Sequence, residues 1–167
     1  MSVLWAPWRM QYILKHDECE GCIFCLKETN EDHRERLILF TNKYALVMMN
    51  RYPYNNGHLL VAPLRHCASL DDLDSEELLG VVDLMRTSIQ TLKEVMQPTG
   101  FNVGLNLGTT AGAGIEDHLH FHVVPRWAGD TNYMTVVGEI RVIPEHLLAT
   151  YDRLYPYFNA LRHGGDK

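Results

Sequence analysis

The sequence predicts an α+β fold: an antiparallel β-sheet with one long helix and a second helix near the C-terminus. Three observations carry this prediction. Short apolar runs alternate with clusters of turn formers, one stretch of helical periodicity interrupts them, and three histidines recur at two-residue spacing. Runs of strands with a packed helix indicate segregated layers, unlike the strict strand–helix alternation of a parallel sheet.

The run Ala45-Leu46-Val47-Met48-Met49-Asn50 reads as a buried strand and Gly57–Pro63 as a second. Between them, Arg51-Tyr52-Pro53-Tyr54-Asn55-Asn56-Gly57 is dense in turn formers, so the two strands pair as a long-looped hairpin. From Asp74 the period changes. Asp74 and Glu77 have capping-box spacing, and Leu78, Val81, Val82, Met85, Ile89, Leu92 and Met96 recur at helical spacing up to Pro98, a stripe expected to face the core. Phe101–Asn106 alternates as a third strand, and the glycine-rich loop 108–114 returns the chain to a fourth strand bearing the histidines. Beyond Pro125-Arg126-Trp127, short strands are expected through Val136 and Val137 and through Ile140, Val142 and Ile143. Pro144 and Glu145 suit the first turn of a final helix carrying Leu147, Leu148, Tyr151 and Leu154.

With 167 residues, 46% hydrophobic and 22% charged, the chain can bury one core, and no linker divides it. A single domain over 1–167 is expected, with a cysteine-bearing N-terminal segment to about residue 36 and a C-terminal helical extension over about 144–163. The net charge of −6, from 15 basic against 21 acidic residues, excludes a concentrated basic surface for nucleic-acid backbones. The start lacks a signal-peptide pattern and no later run is long and apolar enough to span a bilayer, so no membrane partner and a cytoplasmic location are expected. Cys19, Cys22, Cys25 and Cys67 are too few for a disulfide scaffold.

On a strand, His118, His120 and His122 share one face while Leu119, Phe121 and Val123 share the other. Three clustered imidazoles would repel one another if all were charged, which points to chemistry. Two chemistries fit: a metal held by all three, or a nucleophilic imidazole beside a phosphate. Gly108, Gly112 and Gly114 allow a backbone to turn N–H groups toward anionic oxygens, and Thr109 and Thr110 add hydroxyls. An unprotonated imidazole is a competent nucleophile toward phosphorus, and His120, flanked on both sides, is best situated for it. Cys22-Ile23-Phe24-Cys25 has the spacing of a zinc knuckle, which needs two more ligands; a redox pair is the alternative. Cys19 could compete for a metal, whereas Cys67 alternates toward the core.

His118-Leu119-His120-Phe121-His122-Val123-Val124 resembles the signature of the histidine triad family of nucleotide hydrolases and transferases. The stretch Ala45–Pro63, with Asn50-Arg51-Tyr52-Pro53 and Gly57-His58, looks like that family's nucleotide-pocket hairpin. Trp5-Ala6-Pro7-Trp8-Arg9 and Pro125-Arg126-Trp127-Ala128-Gly129-Asp130-Thr131-Asn132 resemble its bacterial branch that includes diadenosine tetraphosphate phosphorylases.

The resemblance implies cleavage of a dinucleoside polyphosphate through a nucleotidyl-histidine on His120, with His122 on phosphate oxygens. It implies Asn50 at the ribose hydroxyls, His58 in the nucleoside pocket, and Asn106 at the phosphate beside Thr110, Gly112 and Gly114. Trp127, with Trp5 and Trp8, is then a candidate for base stacking or an interface, and Arg126 or Arg9 for stabilising charge. It further implies a structural zinc on Cys22, Cys25, His66 and His118, no organic cofactor, and a homodimer. The alternative is a nucleotide-binding or regulatory member, or a phosphoramidate hydrolase of low turnover. One departure bears on the acceptor. Diadenosine polyphosphate hydrolases of this family carry glutamine four residues before the first triad histidine, where this chain has Gly114, which favours inorganic phosphate over water.

Overall fold

A computed structural model describes residues 21–26, 32–130 and 145–163 of the chain. The expected strands within 136–143, Pro144, Cys19 and the Trp5–Arg9 segment lie outside the described residues. The elements are β1 (Ile38–Thr41), β2 (Ala45–Met49), β3 (Leu59–Pro63), α1 (Ser75–Met96), β4 (Gly100–Leu105), β5 (Phe121–Arg126) and α2 (Leu147–His163). The strands form one antiparallel sheet in the order β1-β2-β3-β5-β4, so the α+β expectation holds.

β2 and β3 are the middle of this sheet, and every residue of both is buried. Burial on both faces explains why they read as unbroken apolar runs and not as alternating ones. On one face Leu39, Val47, Met49, Leu59, Val61 and Val123 pack under α1 and α2, which contribute Val81, Leu84, Leu92, Tyr151, Leu154 and Phe158. On the other, Ile38, Leu46, Met48, Leu60 and Ala62 lie beneath Phe24. Leu60 pairs directly with His122, so this second face is the one that carries the histidines. No helix among the described residues is long and apolar enough to cross a membrane.

Four expectations need correction. β1 was missed because its short run, Ile38-Leu39-Phe40, is hard to separate from a helical turn without its partner; it pairs with β2 across a register shift. The α1 stripe is rotated from the expected one: Val81, Leu84, Ser88 and Leu92 are buried, whereas Leu78 and Val82 are 39% and 41% exposed. The reason is local. Gly80 lets the helix approach the β1–β2 turn so closely that a Cβ there would lie 2.6 Å from Tyr44 Cβ, which turns Leu78 and Val82 away from the sheet. α2 begins at Leu147, with Glu145 ahead of it accepting from Thr150 Oγ1 at 2.7 Å and from Asn56 at 3.3 Å. The triad strand begins only at Phe121, because Pro63 has no N–H to extend the β3–β5 ladder beyond Val61.

The N-terminus of α1 follows the expectation: Asp74 accepts from the Glu77 N–H at 2.8 Å, and Glu77 accepts from the Asp74 N–H at 3.1 Å. Gln97, left-handed at φ 50°, closes the helix just before Pro98. Replacing Asp74 with alanine should cost about 1 kcal/mol and lower the melting temperature by about 2–4 °C, readable by calorimetry.

Candidate active site and metal centre

His118, Leu119 and His120 approach the sheet without joining its ladder. Leu119 N–H donates to Cys67 O at 2.7 Å, and the His118 ring turns its Nε2 to Pro63 O at 2.9 Å. A carbonyl only accepts, so this Nε2 carries a proton, and Nδ1 is the nitrogen turned to the cysteines. That Nδ1 lies 3.2 Å from Cys22 Sγ and 3.8 Å from Cys25 Sγ, while His66 Nδ1 is 3.3 Å from Cys25 Sγ. The four donor atoms all lie within 4.8 Å of one another, so this cluster could hold a metal ion. Burial pushes the Cys22 thiol up, but hydrogen bonds from His118 and from the Phe24 and Cys25 amides outweigh it and leave the pKa at about 6. Cys25 is raised, by burial and then by the neighbouring Cys22 thiolate. Two sulfurs and two imidazoles gathered within that span are a donor set of the kind zinc takes. Cys67 is buried and stands outside the cluster.

His120 is 7% exposed, and its Nδ1 donates to His118 O at 2.8 Å, which leaves the Nε2 lone pair for chemistry. Burial holds this imidazole below its ordinary pKa, against the backbone hydrogen bond to His118, so the ring is neutral near pH 7. Phe24 stacks on it at a centroid distance of 4.8 Å and 29° between planes.

His122 belongs to a second relay. The Tyr54 N–H donates to His58 Nδ1 at 3.0 Å, so His58 carries its proton on Nε2 and donates it to His122 Nδ1, also at 3.0 Å. His122 is thereby left with its proton on Nε2, a hydrogen-bond donor beside His120, whose ring centroid is 5.2 Å away. His58 is 1% exposed, and Tyr54 stacks on it at 4.8 Å. Asn50 joins the same group: Oδ1 accepts from the Tyr52 N–H at 2.9 Å, and Nδ2 lies 3.3 Å from His58 Nδ1. Among the described residues, no buried side-chain nitrogen or oxygen lacks a hydrogen-bond partner. The histidines are therefore held in defined tautomers before any ligand arrives.

The glycine loop differs from its expected form. Gly108 at φ 77° and Gly112 at φ 86° fold it into a 3₁₀ turn, and the N–H groups of Ala111, Gly112 and Ala113 donate back to Gly108 or Thr109 carbonyls. Asn106 Nδ2 donates to Gly112 O at 3.4 Å, and Thr110 and Gly114 are exposed. Arg126 is also engaged elsewhere: it makes a bidentate pair with Asp130 at 2.6 and 2.8 Å and donates to Asn102 at 2.7 Å. Asp130 in turn accepts from Asn55 and from the Trp127 N–H, so the pair anchors the hairpin loop and the half-buried Trp127 instead of offering a free cation. Arg9 and the remaining two tryptophans lie outside the described residues.

Sequence reasoning missed Phe24, Tyr54 and the Asn55–Asp130–Arg126 anchor. The signal for Phe24 was its position between two cysteines; Tyr54 and Asn55 looked like ordinary turn residues.

A family model described as HIT domain matches residues 31–129. An AP-4-A phosphorylase of Mycobacterium tuberculosis is 40% identical over 154 residues, which cover 88% of this chain and 79% of that protein. An asymmetrical bis(5'-nucleosyl)-tetraphosphatase of Schizosaccharomyces pombe is 30% identical over 93 residues, covering 56% of this chain and 50% of that protein. Among solved structures, a hypothetical histidine triad nucleotide-binding protein of Sulfolobus tokodaii superimposes with a TM-score of 0.64 at 22% identity, covering 87% of this chain and 97% of that one.

Proposed function

This chain belongs to the HIT domain family, and from that premise we propose that it is an enzyme cleaving a dinucleoside polyphosphate such as diadenosine tetraphosphate, with inorganic phosphate as the acceptor. The observation that carries this reading is His120: a buried, neutral imidazole whose Nδ1–H is spent on His118 O and whose Nε2 lone pair is kept for attack. In the first step Nε2 bonds to an α-phosphorus while the bond from that phosphorus to the bridging oxygen breaks, releasing ATP and leaving a nucleotidyl-histidine. The His118 carbonyl steadies the positive charge that develops on the ring. In the second step a phosphate oxygen attacks the same phosphorus, the N–P bond breaks, and ADP leaves with the neutral imidazole restored. His122, its Nε2 proton set by His58, donates to the non-bridging oxygens where charge accumulates.

His58 acts in this scheme as a positioning residue. Asn50 is assigned to the ribose hydroxyls, Asn106, Thr110, Gly112 and Gly114 to the phosphate side, and Trp127 to the base or an interface. Phosphate as acceptor is supported by Gly114, which brings no side chain to orient water, and by the relationship to the AP-4-A phosphorylase. The cluster of Cys22, Cys25, His66 and His118 is assigned to a zinc ion that ties the N-terminal segment to the catalytic strand.

Incubation with diadenosine tetraphosphate, with and without inorganic phosphate, tests the reading by product chromatography. ADP and ATP in equal amounts, formed only with phosphate, are expected. Release of AMP without phosphate would replace phosphorolysis with hydrolysis, and intact substrate in both would leave a binding protein.

A homodimer fits the same reading. Among the described residues β4 is an end strand with Asn102, Val103 and Gly104 exposed, an edge that pairing with a second copy would cover. Light scattering should give twice the 19.2 kDa chain mass, and Val103→Lys should shift it toward the monomer.

A further inference from the structure

Phe24 is fully buried, yet it belongs to no strand and no helix. Its ring lies over two members of the histidine row, 4.8 Å from His120 at 29° and 5.1 Å from His118 at 54°. The backbone around it is pinned on both sides. Arg36 Nη2 donates to Ile23 O at 2.8 Å and to Cys25 O at 2.9 Å, and the Cys25 N–H closes a turn onto Cys22 O at 3.2 Å. The residues two before and one after Phe24 are the two sulfur donors of the metal cluster. His118 spans the same gap from the other side, its imidazole in the cluster and its carbonyl on His120 Nδ1.

Resting on the reading of His120 as the nucleophile, we propose that Phe24 is a positioning residue through which the metal knuckle sets the ring plane of His120. One hydrogen bond at Nδ1 fixes the tautomer but leaves the imidazole free to rock about the line to its acceptor. A ring stacked on its face removes that freedom, and His122 adds an edge contact with the same ring. The direction of Nε2 is then set by a segment near the chain's start, and that segment is held by the four-residue cluster. The cluster thus acts on the rate of attack as well as on stability. Phe24 reaches the reacting atom only through His120, so its loss should weaken kcat and spare KM.

The test uses the full-length zinc-loaded protein, with Phe24→Leu to keep apolar bulk without a ring face and Cys22→Ser to open the cluster. Zinc content, KM, the single-turnover rate of nucleotidyl-protein formation from diadenosine tetraphosphate, and the long-range ¹H–¹⁵N signature of His120 are measured well below each variant's melting temperature. Phe24→Leu is expected to keep its zinc, to slow the single-turnover step about tenfold or more with KM within about twofold, and to replace a single Nδ1–H signature with an averaged one. A wild-type rate and signature in zinc-retaining Phe24→Leu would overturn the proposal. If Phe24→Leu sheds its zinc, its His120 signature is compared with that of metal-free Cys22→Ser: a single wild-type signature in either variant overturns the proposal, and an averaged one in both supports it. Absence of any adduct in the wild-type protein is a separate outcome, which removes the nucleophile assignment and this inference with it.

Discussion

Replacing His120 with alanine is expected to lower kcat at least about a thousandfold and to abolish the nucleotidyl-protein adduct, while nucleotide binding persists. The loss follows from what His120 alone supplies. His122 also presents an imidazole to the site, but its Nδ1 accepts from His58 and its Nε2 is protonated, so it has no lone pair to offer phosphorus. His118 has its Nε2 on Pro63 O and its Nδ1 among the sulfurs. The truncation leaves a cavity beneath Phe24 that should cost about 1–3 kcal/mol, so activity must be read at a temperature where the variant is folded. A single turnover with labelled diadenosine tetraphosphate, separated on a denaturing gel, reads both expectations. A labelled band surviving in the variant would move the nucleophile to another residue.

Cys22→Ser should lower bound zinc from one ion per chain to a small fraction and reduce the melting temperature by about 10 °C, equivalent to roughly 3–4 kcal/mol in a domain of this size. Cys22 sits 3.2 Å from His118 Nδ1 and, among the described cysteines, is the one whose pKa is lowered, so its loss removes a sulfur donor and the best-prepared anion of the cluster together. The structural consequence spreads along the second sheet face. Phe24 covers Ile38, Leu46, Met48, Leu60 and Ala62, and without the cluster that cover rests on Arg36 and its own packing. His66→Ala should act in the same direction. Cys67→Ala, buried but outside the cluster, should leave the zinc content unchanged. Metal analysis beside calorimetry separates these cases, and unchanged zinc in both Cys22→Ser and His66→Ala would refute the assigned ligands.

The α+β class, the β2–β3 hairpin, the capped helix and the resemblance in the triad could all be read from the chain. Each depends on neighbours in sequence: an apolar run bounded by turn formers, an aspartate three residues before a glutamate, or imidazoles at a period of two. The spacing of Cys22 and Cys25 marked half of a metal site for the same reason. Local chemistry within a few residues leaves a local signature, and that signature does not need the rest of the fold.

What the tertiary structure alone decided is how the histidines divide their work. Which nitrogen of His118, His120 or His122 carries the proton depends on Pro63 O, His118 O and His58, and two of those acceptors or donors sit on β3 or at its start, more than fifty residues away in the chain. The hydrogen bond between His58 and His122, the closing of the glycine loop on its own carbonyls, and the capture of Arg126 by Asp130 and Asn102 are of the same kind. A side chain's identity fixes what it can donate or accept, but its role is chosen by the partner across the sheet, and burial makes that choice binding because an unpaired polar atom there would cost about 1–3 kcal/mol.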